Sequence, residues 1–212
     1  MAKLPRQPDL PRLRALEPDL IELPARTELH RIYFRGGSHP TLWNALRYFG
    51  PTGARFDHHE PDADGEARMQ ERGVAYCAVS AMTCIAEVFQ GPPRLIQRHR
   101  NNPWLVTFEL RTAVTLLDLT GKFPLRAGAS MKLVSGPKTY AQNWSRGFYD
   151  VYTDLEGLYF PSSLTNGPTV VLNERAQDEV FPPTPSFHRA LSDPVMLTPL
   201  RNAARELGYG LI

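Results

Sequence analysis

Runs of hydrophobic residues recur along most of the chain, and they predict strands distributed from one end to the other. Runs rich in β-branched and aromatic residues and bounded by Gly, Pro, Asn or Asp are typical of strands. The run VAYCAV is nearly continuous in apolar residues, which indicates a buried strand. The predicted strands cover residues 29–34, 74–79, 104–110, 112–119, 157–163 and 168–173.

Apolar residues at helical spacing predict four helices between these strands. The best defined of them follows Ser80, a favourable N-cap residue, and ends at Gly91-Pro92. Within it, apolar residues recur at i, i+3, i+4 and i+7 from Met82 to Phe89 and mark one buried face. Glu87 falls on the other side, where it is solvated or faces a cleft. The other predicted helices cover residues 41–50, 139–152 and 198–208.

Two segments lack such a period. Residues 1–28 are punctuated by proline and predict an N-terminal arm, whereas the polar, turn-rich residues 57–73 predict a mobile loop. We see no internal repeat and no sign of a second domain. The sequence therefore predicts one α+β domain over residues 29–212, ending in a helical tail, a length sufficient for one hydrophobic core.

Charge and composition narrow the class of protein. The formal net charge is only +2, so nothing global indicates binding to nucleic acid or to an anionic membrane surface. The N-terminus contains no apolar run suited to a signal peptide, and no span approaches the roughly 20 residues that a membrane helix needs. Two cysteines without metal-ligand or redox spacing fit a reducing compartment. We expect a soluble, cytoplasmic protein.

Three local patterns suggest chemistry but have ordinary interpretations. The sequence HHE at 58–60, with two aspartates nearby, contains metal-ligating types. Adjacent residues on a flexible loop rarely converge at about 2 Å from an ion, so we expect a solvated loop and no metal site. The basic residues 93–100 are more typical of a polar face than of a phosphate site. A hydrolase triad is poorly supported, since the sequence has neither a Gly-x-Ser-x-Gly elbow nor a nucleophilic cysteine motif.

Five polar or aromatic residues on predicted elements remain as candidates. Taken singly, Arg31 suits a sheet edge, Tyr76 a core, Glu87 a surface and Ser162 a turn, while Arg55 follows a Gly-Ala pair. Pattern alone favours these structural interpretations, because residues outside a motif are rarely catalytic.

The order of six short segments changes that interpretation. HRIYF, GARF, AYCAVSAMTCIAEVF, LLDLTG, YAQNWS and GLYFPSS…VVLNERA follow one another between residues 29 and 176. Together they resemble the segments of the RES-domain family, and the 11-residue spacing from Tyr76 to Glu87 is similar to the spacing in that family. The resemblance implies a fold similar to ADP-ribosyltransferases, a single domain with a split, mixed β-sheet and flanking helices.

The resemblance also implies an activity. RES domains act on NAD, and many are bacterial toxins that deplete it by hydrolysis or phosphorolysis and are neutralised by a helix-turn-helix antitoxin. We therefore expect NAD as the substrate, no separate cofactor, and an antitoxin partner. Some relatives are implicated in transferring ADP-ribose to a protein, so a mono-ADP-ribosyltransferase with a specific protein target is the alternative. A catalytically silent domain that binds a nucleotide or a partner protein is a third possibility.

Motif correspondence assigns roles to individual residues. Cleavage of the nicotinamide–ribose bond leaves an oxocarbenium-like sugar, which a carboxylate such as Glu87 stabilises. Arginine forks suit the pyrophosphate or ribose, and an aromatic ring can stack on nicotinamide, with Phe56 as a second wall. The resemblance thus implies the catalytic residues Glu87, Arg31 and Tyr76, and the NAD-binding residues Arg31, Arg55, Phe56, Tyr76 and Ser162.

Overall fold

A computed structural model describes residues 7–176 and 180–212 as an α+β fold built on a large sheet. Its strands are β1 (Leu20–Leu23), β2 (Glu28–Phe34), β3 (Arg47–Gly50), β4 (Arg68–Ala78), β5 (Leu95–Ile96), β6 (Pro103–Glu109), β7 (Val114–Asp118), β8 (Gly157–Pro161), β9 (Pro168–Asn173), β10 (Phe187–Ala190) and β11 (Gly210–Leu211). Its α-helices are α1 (Leu10–Arg14), α2 (Ala81–Val88), α3 (Phe123–Ala127), α4 (Lys132–Ser135), α5 (Lys138–Val151) and α6 (Leu197–Leu207).

The main sheet has nine strands and is mixed. Its order is β1-β7-β8-β9-β4-β2-β6-β10, and β3 pairs with β4 beside this path. Strands β7 and β8 run parallel, whereas the other described pairs of this sheet run antiparallel. Strands β5 and β11 form a separate parallel pair. The predicted fold class is confirmed, and the predicted strands are present with bounds that shift by at most two residues, except that β4 begins at Arg68 rather than at residue 74.

The sheet splits between β2 and β4. The two strands face each other only at His30 and Ala78, because β3 takes the rest of that edge of β4. The opposite edge of β4 is paired with β9 from Val74 to Ala78. A gap therefore opens between β2 and β4 beyond their single facing pair, and this gap becomes the cavity described below.

Helices cover one face of the sheet in two apolar clusters, whereas the cluster on the opposite face includes no residue of α1–α6 among the described residues. Helix α5 packs its large aromatic residues Trp144 and Phe148 on Leu117 and Val171, and all four side chains are buried. Helices α2 and α6 cover the region of β2 and β6 in a second apolar cluster. Burial of each such side chain stabilises the fold by about 1.5–3 kcal/mol. None of the helices in residues 7–176 and 180–212 is long and apolar enough to cross a membrane.

Helix α2 follows the sequence prediction closely. Its N-cap Ser80 accepts a hydrogen bond from the backbone N–H of Thr83 at 3.1 Å. The predicted buried face is observed at Ile85 and Phe89, and Glu87 lies on the opposite side as expected. The helices predicted at 139–152 and 198–208 are confirmed as α5 and α6.

The helix predicted at residues 41–50 is wrong. Residues Arg47–Gly50 form β3 instead, and Arg47 and Phe49 face Val74 and Met69 of β4. A short run of apolar and aromatic residues is compatible with either a helix or a strand, and pairing with the edge of β4 stabilises the strand.

The polar loop predicted at residues 57–73 is wrong at both of its ends. Asp57, His58 and His59 are buried rather than solvated, and Arg68–Ala78 is one continuous strand. The exposed turn is confined to the residues between these segments, where Asp62 accepts hydrogen bonds from backbone N–H groups.

The predicted N-terminal arm packs into the fold over its described part. Strand β1 pairs with β7 through all four of its residues. Leu13 of α1 is fully buried, and its carbonyl accepts a hydrogen bond from the Tyr152 hydroxyl at 3.0 Å. Residues 1–6 of the arm lie outside the described residues, and the domain boundary at residue 28 stays a prediction.

Candidate functional site

A cavity of about 430 Å³ opens in the gap between β2 and β4. Its walls come from these two strands, from the segment that follows β3, from α2, from the start of α5 and from the end of β8. The predicted residues Arg31, Arg55, Tyr76 and Glu87 all line it. Other polar residues that line it are Thr41, Arg47, Thr52, Gln90, Lys138, Ser163 and Thr169, together with His39.

The carboxylate of Glu87 is held from two sides. The Ser162 hydroxyl donates to Oε1 at 2.6 Å, and the Gln90 side-chain amide donates to Oε2 at 3.0 Å. Ser162 is buried, and its oxygen accepts hydrogen bonds from the backbone N–H groups of Leu164 and Thr165. Because those two donors occupy the oxygen, the hydroxyl proton points to Glu87. Ser162 therefore positions the acid and does not line the cavity itself.

Arg55 faces the same cavity as Glu87. Its Nη1 donates to the carbonyls of Leu133 and Gly136 at 3.1 and 2.9 Å, which fixes the guanidinium against the segment before α5. Burial lowers the pKa of Arg55, and the negative charge of Glu87 opposes that shift. The cation and the carboxylate are therefore close enough to interact across the cavity.

The segment that carries Arg55 is held by polar residues of α5. The Gln142 side-chain amide donates to the carbonyls of Thr52 and Ala54 at 2.7 and 2.9 Å, and the Ser145 hydroxyl donates to the Phe56 carbonyl at 2.9 Å. Gln142 and Ser145 are buried, so these bonds are shielded from water. Helix α5 thus sets the position of Arg55.

Arg31 is buried rather than exposed at a sheet edge. Its Nη1 donates to the carbonyls of Trp43 and Ala45 at 2.9 and 2.8 Å and ties the segment between β2 and β3 to the cavity wall. Burial lowers the pKa of Arg31. The structure brings Arg31 to the cavity, and it gives the residue a clear structural task there.

Tyr76 places its ring on the cavity wall and its hydroxyl in the interior. The hydroxyl lies beside Arg47 but forms no hydrogen bond of normal geometry with a described residue. Burial raises the pKa of Tyr76 well above its ordinary value, and the charge of Asp57 adds to that effect. The ring is therefore neutral and offers an aromatic surface to the cavity.

Asp57 lies behind the wall as the centre of a buried ion network. Its Oδ2 accepts hydrogen bonds from Arg47 Nη2 at 2.8 Å and from the backbone N and hydroxyl of Thr52 at 2.8 and 2.9 Å. Its Oδ1 accepts from the ring of His59. Burial raises the pKa of Asp57, but the His59 hydrogen bond and the Arg47 charge outweigh burial and bring the pKa well below its ordinary value.

Phe56 corrects the expectation of a second aromatic wall. The residue is completely buried and does not line the cavity; it packs behind the lining residue Phe160, with ring centroids 4.4 Å apart. Its backbone has φ of +60°, a left-handed conformation that is uncommon outside glycine. This turn directs Arg55 to the cavity and the following ring to the core.

The two cysteines line the cavity as free thiols, and Cys84 donates from Sγ to the His30 carbonyl at 2.9 Å. Burial raises the pKa of Cys77 to about 11 and raises that of Cys84 as well. Both are protonated at neutral pH, and a protonated thiol is a poor nucleophile.

The buried histidines do not form a metal centre. His58 lies 3.7 Å from a carboxylate oxygen of Glu174, and burial lowers the pKa of His58. His59 bonds to Asp57. Within residues 7–176 and 180–212, no group of three His, Cys, Asp or Glu side chains could hold a metal ion.

Sequence reasoning missed several residues of the site. Arg47 fell in a predicted helix and Asp57 in a predicted solvated loop, so neither was a candidate. Gln90 carries a weak signal, since a polar residue three positions after Glu87 lies near it at the end of a helix. The two hydrogen bonds of Gln142 leave no signal in the sequence, because they depend on tertiary contacts.

Comparison with known proteins identifies the family. No curated protein matches the chain. Among solved structures, a chain of the crystal structure of the M. tuberculosis MbcT–MbcA toxin–antitoxin complex has the same fold, with a TM-score of 0.57 and 18% identity. The match covers 91% of this chain and 96% of that chain. The sequence model of the RES domain matches residues 28–192, most of the chain. The protein therefore belongs to the RES-domain family.

Proposed function

We propose that this protein is an NAD-degrading toxin that cleaves the nicotinamide–ribose bond and is neutralised by a cognate antitoxin. The observation that carries the proposal is Glu87, a carboxylate held by neutral donors in a cavity that also contains Arg31 and Arg55. Family membership supports the substrate class. The fold shared with a chain of a toxin–antitoxin complex supports the biological role.

The reaction requires a group that stabilises the positive charge that develops on the ribose. The bond from ribose C1′ to the nicotinamide nitrogen breaks with both electrons leaving on nicotinamide, which departs neutral. The ribose becomes oxocarbenium-like, and the Glu87 carboxylate stabilises its charge or accepts a hydrogen bond from a ribose hydroxyl. Water then adds to C1′ and loses a proton to give ADP-ribose, or phosphate adds to give the 1-phosphate. NAD is the substrate, and the proposal involves no cofactor.

The remaining walls suit the rest of NAD. Arg55 offers a planar fork of donors to the pyrophosphate, and Arg31 adds positive charge from β2. The Tyr76 ring provides a face on which nicotinamide stacks and from which water is excluded. Ser162 acts through Glu87 rather than on the substrate.

An antitoxin is the expected partner. The resemblance implies a helix-turn-helix protein, and occupation of the cavity mouth by such a partner would block access to Glu87 and Arg55. Addition of the purified antitoxin is therefore expected to abolish NAD cleavage.

The test is to incubate the purified 212-residue chain with NAD, with and without phosphate, and to separate the products by chromatography. We expect nicotinamide in amounts equal to ADP-ribose or to its 1-phosphate, and the dependence on phosphate identifies the acceptor. Glu87→Gln is the matched control for contaminating activity. No nicotinamide release by the wild-type chain would refute the proposal.

A mono-ADP-ribosyltransferase is the other reaction that this site could perform, since a side-chain nucleophile would replace water at the same ribose carbon. NAD labelled in its adenine moiety separates the two reactions in a cell extract. Label retained on a protein band would favour transfer, whereas label found only in small molecules favours NAD degradation.

A further inference from the structure

Gln90 is a cavity residue that contacts Glu87 through two hydrogen bonds. It follows the last turn of α2, lines the cavity, and donates from Nε2 to the Glu87 Oε2 at 3.0 Å. The same Nε2 donates to the Glu87 backbone carbonyl at 2.7 Å. One side-chain amide therefore binds both the carboxylate and the main chain of the same residue.

The chemistry of the partners fixes the orientation of this amide. A carbonyl oxygen and a carboxylate oxygen only accept hydrogen bonds, so the NH₂ group and not the oxygen of Gln90 faces Glu87. Each acceptor takes one of the two amide hydrogens. The Glu87 carbonyl is among the last carbonyls of α2, which lack a partner inside the helix. Gln90 satisfies it and is anchored by doing so.

The two donors to Glu87 come from different parts of the fold. Ser162 follows β8 and binds Oε1, whereas Gln90 follows α2 and binds Oε2. With one donor on each oxygen, rotation of the carboxylate about its terminal bond breaks both hydrogen bonds. A carboxylate with Ser162 alone keeps one bond and can rotate around it.

We propose that Gln90 is a positioning residue, which together with Ser162 fixes the Glu87 carboxylate in the orientation needed for catalysis. This inference rests on the proposed function of Glu87. Both donors are neutral, so they orient the carboxylate without cancelling its charge. A misplacement of about 1 Å at a reacting group can cost up to about 100-fold in rate.

The experiment measures nicotinamide release by Gln90→Ala and Gln90→Glu across a range of pH, with unfolding midpoints as a check on folding. For Gln90→Ala we expect kcat to fall about tenfold while KM changes less than about threefold. Gln97→Ala is the matched control, because Gln97 does not line the cavity and its side-chain oxygen accepts a long hydrogen bond from Arg100, at 3.5 Å. It should behave as the wild type.

Gln90→Glu tests the positioning role through the pH dependence of activity, which a merely structural role of Gln90 would not change. Its new carboxyl cannot donate when it is ionised, so activity should be low at pH 8. Two carboxylates about 3 Å apart bind a shared proton readily, and the protonated group can again donate to Glu87. Activity relative to the wild type should therefore recover as the pH falls, whereas that of Gln90→Ala should not.

Two outcomes would overturn the inference: a kcat of Gln90→Ala within twofold of the wild type, or parallel pH profiles for the two variants. If the wild-type chain does not cleave NAD, the proposed function fails separately. A crystal structure of Gln90→Ala then decides the positioning. We expect the Glu87 carboxylate to turn or to occupy several rotamers, and a single unchanged rotamer would contradict the inference.

Discussion

Two carboxylates, Glu87 at the cavity and Asp57 behind its wall, are held in opposite ways. Asp57 is completely buried, and its oxygens accept hydrogen bonds from the guanidinium of Arg47 and the ring of His59. Glu87 is only half-buried, and its oxygens accept hydrogen bonds from two neutral groups, the Ser162 hydroxyl and the Gln90 amide. Asp57 is therefore bonded directly to a cation behind the cavity wall, whereas Glu87 is bonded to neutral groups at the cavity itself.

The difference separates a structural acid from a reactive one. A buried carboxylate paired with a guanidinium contributes by fixing its neighbours, and removal of either partner strands a charge in the interior. A carboxylate held by neutral donors exerts its field on whatever occupies the cavity. We therefore expect substitution of Asp57 to affect chiefly stability and substitution of Glu87 to affect chiefly activity.

The largest expected effect is that of Glu87→Gln on activity. The amide keeps the shape of the side chain but loses the negative charge that stabilises the ribosyl cation, so kcat should fall about 1,000-fold, or about 4 kcal/mol in barrier height. Initial rates of nicotinamide release measure this. An unfolding midpoint close to that of the wild type would show that the loss is chemical. Retention of full activity would exclude Glu87 as the catalytic carboxylate.

The next effect is that of Asp57→Asn on stability. The substitution leaves Arg47 without its anionic partner, and we expect a loss of about 3 kcal/mol in the free energy of unfolding. Urea denaturation measures it. Asp64→Asn, on the exposed turn, is the matched control and should change stability by less than about 0.5 kcal/mol. Equal small losses for both variants would refute the structural role of Asp57.

Arg55→Lys should have a smaller effect, on substrate binding. Lysine keeps the positive charge but loses the planar fork and cannot reproduce the bonds to the Leu133 and Gly136 carbonyls. We expect KM for NAD to rise about tenfold, or about 1.4 kcal/mol, with a smaller change in kcat. Arg68→Lys, at the exposed start of β4, serves as the control. An unchanged KM would remove Arg55 from the binding site.

The smallest expected effect is the contribution of Glu174 to the pH dependence of the free energy of unfolding. Hydrogen bonds from His58, Gly73 and Tyr149 outweigh burial, which alone raises the pKa of Glu174, and bring that pKa down to about 2. A carboxyl with a lowered folded pKa stabilises the fold above its unfolded pKa, and this contribution is lost as the pH falls through the folded value. The relevant window for Glu174 is therefore from about 4.5 down to about 2.

Urea denaturation between pH 5 and pH 2 tests this expectation. Glu174→Gln should flatten the dependence of the unfolding free energy on pH by about 1 kcal/mol over that window, a value reduced because water partly screens the group. Glu66→Gln on the exposed turn should leave the dependence unchanged. A Glu174→Gln slope identical to that of the wild type would contradict the assignment.

The sequence predicted best the features that local chemistry determines. Ser80 caps α2 by accepting a hydrogen bond from the backbone N–H of Thr83, three residues along the chain. The buried face of the same helix follows from the helical spacing of its apolar residues. The position of Glu87 opposite that face follows from the same period. The strands of continuous apolar residues were predicted for the same reason, since each is recognisable without knowledge of its neighbours.

The features that the sequence did not predict depend on distant partners. Arg47 lies in a strand because it pairs with the edge of β4, and the buried Asp57 is stabilised by its hydrogen bonds with Arg47 and His59. The contact of Ser162 with Glu87 joins residues 75 positions apart. Only the resemblance to a family placed those two residues in one site before the structure did.

The most direct test of the account is to measure Glu87→Gln and Asp57→Asn side by side, for nicotinamide release per folded molecule and for the free energy of unfolding. We predict a crossed pattern: Glu87→Gln folds with wild-type stability and releases almost no nicotinamide, whereas Asp57→Asn loses about 3 kcal/mol of stability and its folded fraction still cleaves NAD. An active Glu87→Gln, or an Asp57→Asn that is stable but catalytically dead, would contradict the division of roles between the two acids.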